Sequence, residues 1–271
     1  MSIPKLVIGG LLLASSCAAP KSESPVSTDE VQADAWIQLF NGEDLDGWRV
    51  KISGYELDDN SLGIFQVQDG VIRIGYDHLD SFHGEFGHLF YDTPFDYYRL
   101  RVEYRFLGEQ LSGGPGWAWR NSGVMLHGQH PETMTRDQSF PVSIEAQMLG
   151  GPADESGGIR TTANLCTPGT HVEIDGKLHT PHCLNSNSLT HYGDEWATIE
   201  LEVRGGEQIR HWMDDTIVLS YEAPQLDPND GDAKRLIDAG ADLLLTGGYI
   251  SLQAESHPME IRSVELQIIT D

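Results

Sequence analysis

Alternation of apolar and polar side chains organises most of this chain. In YRLRVEYRF the apolar set Tyr98, Leu100, Val102, Tyr104 and Phe106 alternates without a break with Arg99, Arg101, Glu103 and Arg105. A period of two puts every second side chain on one face, so this run predicts a strand with one buried side. GIFQVQDGVIRIG sets Asp69-Gly70 between two β-rich runs, a strong short-range hairpin signal. A meander is predicted from Thr198 to Tyr221, with turns at Gly205-Gly206 and Asp214-Asp215, and Ile199, Leu201 and Val203 alternate with Glu200, Glu202 and Arg204 in its first strand. GGYISLQAES and IRSVELQII supply two further strands.

Helical spacing occurs only in Asp232 to Leu245, through Ala233, Leu236, Ile237 and Leu244. Many strands, turn-rich joints and one short helix predict an all-β sandwich of the jelly-roll type. Two stretches fit no strand template. Ser112 to Trp119 is a Gly- and Trp-rich loop, and Arg160 to Asp194 reads as one long polar loop, a kind of segment that is functional or specially tied down.

The N-terminus follows another pattern. Lys5 precedes an apolar run from Leu6 to Ala14 and the small residues Ser15 and Ser16, the order of a secretory signal, and the run is too short to span a bilayer. Leu13-Ala14-Ser15-Ser16-Cys17 resembles a bacterial lipobox, with Ala14 where Leu is usual. Residues 1–17 therefore predict a lipoprotein signal, with an acylated Cys17 anchoring the chain to a membrane, in the periplasm or at the outer membrane or cell surface; the alternative is ordinary cleavage near Ser16 and a soluble secreted protein. Residues 18–33, rich in Ser, Pro, Ala and acidic side chains, read as a flexible tether, and 34–271 as one folded domain.

Charge narrows the partners. Seventeen basic side chains face 42 acidic ones, a formal net charge of −25, which makes nucleic acid and anionic membrane surfaces poor partners. With Cys17 assigned to lipid, Cys166 and Cys183 remain as a pair for a disulfide in an oxidising compartment, stabilising by ~3 kcal/mol.

The segments LFNGEDLDGW (39–48), NSGVMLHG (121–128), SIEAQMLGG (143–151), EWATIELEVRGGEQIRHWMDD (195–215) and GGYISLQAESHPMEIRSVEL (247–266) together resemble the 3-keto-disaccharide hydrolase domain family. The resemblance implies a concanavalin A-like sandwich in exported bacterial proteins that act on oxidised sugars. Segment 164–188 departs from the shorter loops typical of that family.

Candidate chemistry follows from shared faces. Glu145 and Gln147 lie opposite Ile144, Ala146 and Met148, so a carboxylate sits on the polar face of an apolar strand. Laminarinase-type sandwiches carry E-x-D-x-x-E for retaining hydrolysis, but here the span after Glu145 offers Gln147 and Gly150, which argues against direct cleavage of an unmodified glycoside. A 3-keto sugar asks for less: a base for the acidified C2 proton, a donor for the enolate oxygen and an acid for the leaving oxygen. Glu145 suits the base, with Arg120 or His127 as donor.

Asn121, Met125 and His127 share a face if the alternation holds. Ser251, Gln253 and Glu255 share another, with His257 two residues on, able to bind sugar hydroxyls or supply an acid. Trp117 and Trp119 could stack on a sugar ring, and His211 is a weaker polar candidate. His171, His179, His182 and His191 invite a zinc reading, but no ligand spacing repeats. No cofactor is called for; a divalent metal such as calcium is compatible with so acidic a domain, with no ligand set to locate it. The expected ligand is a carbohydrate, and the competing reading is a lectin-like binding module without catalysis.

Overall fold

The structure is a computed structural model that describes residues 1–2 and 35–270. The signal from Ile3 onward, Cys17, the tether, Asp34 and Asp271 lie outside the described residues. In chain order the strands are β1 (Ile37–Gln38), β2 (Trp48–Ile52), β3 (Phe65–Gln68), β4 (Val71–Ile74), β5 (Gly87–Tyr91), β6 (Tyr97–Phe106), β7 (Asn121–Gly128), β8 (Ile144–Leu149) and β9 (Asn164–Cys166). They continue with β10 (Thr170–Ile174), β11 (Lys177–His179), β12 (Cys183–Leu184), β13 (Ala197–Arg204), β14 (Gln208–Met213), β15 (Thr216–Leu226), β16 (Tyr249–Ala254) and β17 (Met259–Ile268), with helix α1 (Gly231–Asp238) between β15 and β16.

These strands form a jelly-roll β-sandwich. The larger sheet has ten strands in the order β11-β10-β15-β14-β13-β6-β17-β4-β3, with β1 added to β17; the smaller has seven, β12-β9-β8-β7-β16-β5-β2. Every apolar side chain of the alternating run in β6 enters the core between them. Ile199, Leu201 and Val203 join from β13 and Ile261, Val264 and Leu266 from β17, against Val124 and Leu126 of β7, Ile144, Ala146 and Met148 of β8, and Ile250, Leu252 and Ala254 of β16. Each large side chain buried there is worth roughly 1.5–3 kcal/mol, which is what fixes the register of both sheets.

The turns follow their residues. Asp69-Gly70 and Asp214-Asp215 all have positive φ, the primed geometry that lets two-residue hairpins match the strand twist.

Three expectations need correction. The helix ends at Asp238 rather than reaching Leu245: Ala239 caps it, Gly240 turns the chain at φ +98°, and Leu243 and Leu245 instead exchange backbone hydrogen bonds with Leu226 and Pro224 of β15. Segment 160–194 is no loop but contains four short strands, β9 to β12, of two to five residues each. Brevity hides β9, β11 and β12, because two or three residues show no periodicity. The third concerns β7: its pairing with β16 shifts register between Tyr249 and Ser251, and His127, at φ +49°, bulges out of the alternation.

Candidate active site

The face of the seven-stranded sheet turned away from the core carries the site. Register sets Cys183, Cys166, Glu145, Met125 and Ser251 level with one another across β12, β9, β8, β7 and β16; Asn164, Gln147, Gly123, Gln253 and His88 form the next row. Above these rows lies a cavity of about 410 Å³ lined by Trp117, Asn121, Phe140, Glu145, Gln147, Cys166, Pro168, His182, Cys183 and Glu255. Segment 164–188 thus supplies one wall through the Cys166–Cys183 disulfide, which bridges directly paired residues of β9 and β12.

Two carboxyls face this cavity, and neither meets a cation. Glu145 lies over β7 at Gly123, a position without a side chain: a Cβ there would come within 2.6 Å of Glu145 Oε1. Any larger residue there would displace the carboxyl, so Gly123 is required by close approach. Burial pushes Glu145 up to about 8. Burial pushes Glu255 well above the carboxylate range, and the neighbouring Glu145 pushes it further; its Oε2 has no protein partner. Two carboxyls that resist ionisation to different extents can divide the work of base and acid once the more readily ionised, Glu145, gives up its proton as pH approaches about 8.

Aromatic rings form the rim. Trp117, 55% exposed, stacks on Phe86 with centroids 5.8 Å apart and planes 9° from parallel, and Phe86 also packs on Phe140 at 4.9 Å. An exposed indole face over a polar floor suits a sugar ring.

Of the residues singled out from sequence, Glu145, Gln147, Asn121, Glu255 and Trp117 line the cavity. Gln253 and Ser251 continue the row of Glu255 on the same face, fully buried with no partner for Gln253 Nε2 and Oε1 or Ser251 Oγ. His127 is not brought to the cavity. Its bulge carries Nε2 to the carbonyl of Gly205, 3.0 Å away in the other sheet, and burial lowers it to about 4.

Arg120, at φ +42° just before β7, also points elsewhere, donating to Gly193 O and Asp194 Oδ1. His257 packs between Phe106 and Trp119, and burial, with Arg120 and Arg160 beyond it, holds it down to about 4. Trp119 lies under those two guanidiniums rather than on the rim. His211 is an inter-sheet strut: Nδ1 faces the carbonyl of Ala163 and must donate, so Nε2 accepts from Tyr221, each at 2.8 Å.

Phe140, Pro168 and His88 were not singled out from sequence. Phe140 and Pro168 sit between strands, where no periodicity marks them, whereas His88 is in β5 and shares its face with Gln253; the alternation of GHLF could have signalled it. Among the described residues no three His, Cys, Asp or Glu side chains gather as metal ligands would; His171 pairs with Asp227 at 3.4 Å.

Residues 35–267 match the family model described as the 3-keto-alpha-glucoside-1,2-lyase-like domain. The chain belongs to this family. No curated protein matches the sequence. Among solved structures, a protein of Parabacteroides distasonis ATCC 8503 provisionally assigned as a glycosyl hydrolase is 17% identical, with a TM-score of 0.50 over 90% of this chain and 99% of that one. A second such protein from the same organism is 15% identical, with a TM-score of 0.48 over 87% and 100%. The carbohydrate-binding module CBM66 of Bacillus subtilis is 8% identical, with a TM-score of 0.40 over 87% and 97%. The first of these is a likeness of fold.

Proposed function

We propose that this domain cleaves 3-keto glycosides by elimination across C1 and C2, followed by hydration. The observation that carries the reading is the pair Glu145 and Glu255, buried in one cavity with no cation to hold both ionised. The ketone at C3 acidifies the C2 proton. Glu145, the easier of the two to ionise, removes it, and the electron pair moves to the C3 oxygen as an enolate. The enolate then re-forms the ketone and expels the C1 oxygen, which takes its proton from Glu255. Water adds to C1, losing a proton to Glu255, while Glu145 returns a proton to C2, so both carboxyls end as they began. Arg120 and His127, the donors expected from sequence, are engaged elsewhere, which leaves the amides of Asn121 and Gln147 among the neutral donors lining the cavity.

The exposed Trp117 favours a second reading, a binding module that holds glycans without turning them over. Incubating the purified domain with a 3-keto disaccharide and with its unoxidised parent separates the two: release of sugar from the ketone alone is expected, and release from both at equal rates, or from neither, overturns the proposal. The reading includes export and lipid anchoring through Cys17, a proposal supported by the leader sequence and by a disulfide suited to an oxidising compartment.

A further inference from the structure

Elimination through an enolate needs a hydrogen-bond donor aimed at the C3 oxygen. An amide can serve only if its NH2 rather than its C=O faces that oxygen, because the two ends have opposite polarity. Orientation is therefore the question for Gln147, and its neighbour in the same row answers it.

Asn164, 1% exposed in β9, is fixed from two sides by backbone groups that have no choice of role. The N–H of Ser186 points at its Oδ1 at 2.9 Å, and the carbonyl of Thr161 faces its Nδ2 at 2.9 Å. A backbone N–H can only donate and a carbonyl only accept, so the amide of Asn164 has one allowed orientation. The Thr161 hydroxyl adds a third contact, 2.8 Å to Oδ1. With Nδ2 thus committed to donating, its remaining hydrogen meets Gln147 at 3.1 Å and requires Oε1 there. Gln147 lines the cavity, and among the described residues its Nε2 has no protein partner.

We propose that Gln147 Nε2 is the donor that holds the enolate oxygen, and that Asn164, tied to Ser186 and Thr161, is the positioning residue that keeps that NH2 turned toward the substrate. The inference rests on the elimination reading and adds the substrate group that Gln147 recognises: a carbonyl oxygen at C3, not a hydroxyl donor. It also gives segment 164–188 a task, since Asn164 and Ser186 both belong to it and the Cys166–Cys183 bridge closes the chain between them.

Gln147→Glu keeps an acceptor for Asn164 and replaces the NH2 with an oxygen. Asn164→Asp makes Asn164's position an acceptor, which draws the Gln147 NH2 away from the cavity; Asn164→Ala serves if that variant does not fold. The measurements are kcat, KM and the melting temperature with a 3-keto disaccharide, together with exchange of the C2 proton of a methyl 3-keto-glucoside in D2O. Gln147→Glu is expected to lose about 100-fold or more in kcat and in exchange, and the Asn164 variants about 10-fold or more, with KM within a few-fold of wild type. Exchange by the wild type with kcat unchanged in the variants, or a loss confined to KM, overturns this inference alone. Absence of C2 exchange in the wild type overturns the elimination reading and this inference with it.

Discussion

Glu202 and Glu145 are buried alike, at 2% and 6% exposure, yet they have opposite surroundings. Glu202, on the outward face of the ten-stranded sheet, takes hydrogen bonds from Arg99, Arg204 and Arg210. Burial pushes it up, but the bonds from Arg204 and Arg99 outweigh that and hold it below the usual range. Its neighbours repeat the arrangement: Arg101 with Glu200, Arg105 with Glu260, and Arg262 with Glu103. Trp196 is clasped by Arg105 and Arg262 at 4.5 and 4.4 Å.

On the outward face of the seven-stranded sheet, Glu145 and Glu255 have no such partner, and His88 and Gln253 have side-chain polar atoms that meet nothing. Buried polar groups normally find partners, since leaving one unmade costs about 1–3 kcal/mol. One sheet has spent its charges on holding itself together; the other keeps them available for a ligand.

The widest separation between the two faces is expected in turnover. Glu145→Gln should lower the cleavage rate about 1,000-fold while leaving sugar binding within a few-fold, whereas Glu202→Gln should leave the rate within about twofold. In denaturant the order reverses. Glu202→Gln strands three guanidiniums and should cost about 2 kcal/mol, and Glu145→Gln should cost nothing or stabilise the fold at pH 8. Equal rate losses in both variants would erase the distinction.

The pH dependence of stability sharpens it. Glu145 ionises near 4.5 when unfolded and near 8 when folded, so its contribution is fully present below about pH 4.5 and is lost as pH rises through about 8. Glu202 has the opposite sign: its contribution is present above its unfolded value and lost as pH falls through the folded one. Thermal melts should therefore show stability falling from pH 5 to pH 8, by about 1.4 kcal/mol per pH unit for each proton involved, with the fall reduced in Glu145→Gln and unchanged in Glu202→Gln. The smallest effect is expected at the rim, where Trp117→Ala should raise KM about three- to tenfold and leave kcat nearly unchanged.

The paired face was legible in the sequence because its strands are long: nine consecutive alternating residues in β6 fix which side chains enter the core, and with them the outward row of Arg99, Arg101 and Arg105. The same logic puts Glu145, Gln147, Gln253 and Glu255 on the outward face of the other sheet, where the structure has them. It failed at His127, where positive φ near the end of β7 turns the side chain off the face that counting by two assigns to it; Arg120, also at positive φ, was a donor candidate that alternation did not place. Close backbone contact at Gly248, whose Cβ would meet the backbone of His127 at 2.6 Å, goes with that bulge, but a Gly-Gly pair in sequence does not say which partner strand will slip. Segment 160–194 was opaque for another reason. Its strands pair with β8 and β15 and are tied further by the disulfide and by side-chain to backbone hydrogen bonds such as Ser186 Oγ to Thr162 O, but no long alternating apolar run announces them.

Solvent deuterium tests the central claim directly. If Glu145 removes the C2 proton and a proton from solvent-exchanged carboxyl later returns there, cleavage of a 3-keto disaccharide in D2O releases a 3-keto sugar carrying deuterium at C2, and NMR shows the C2 proton signal lost in step with product formation. A released sugar that keeps its C2 proton, with exchange absent on the timescale of cleavage, would mean direct displacement at C1 and would contradict the account.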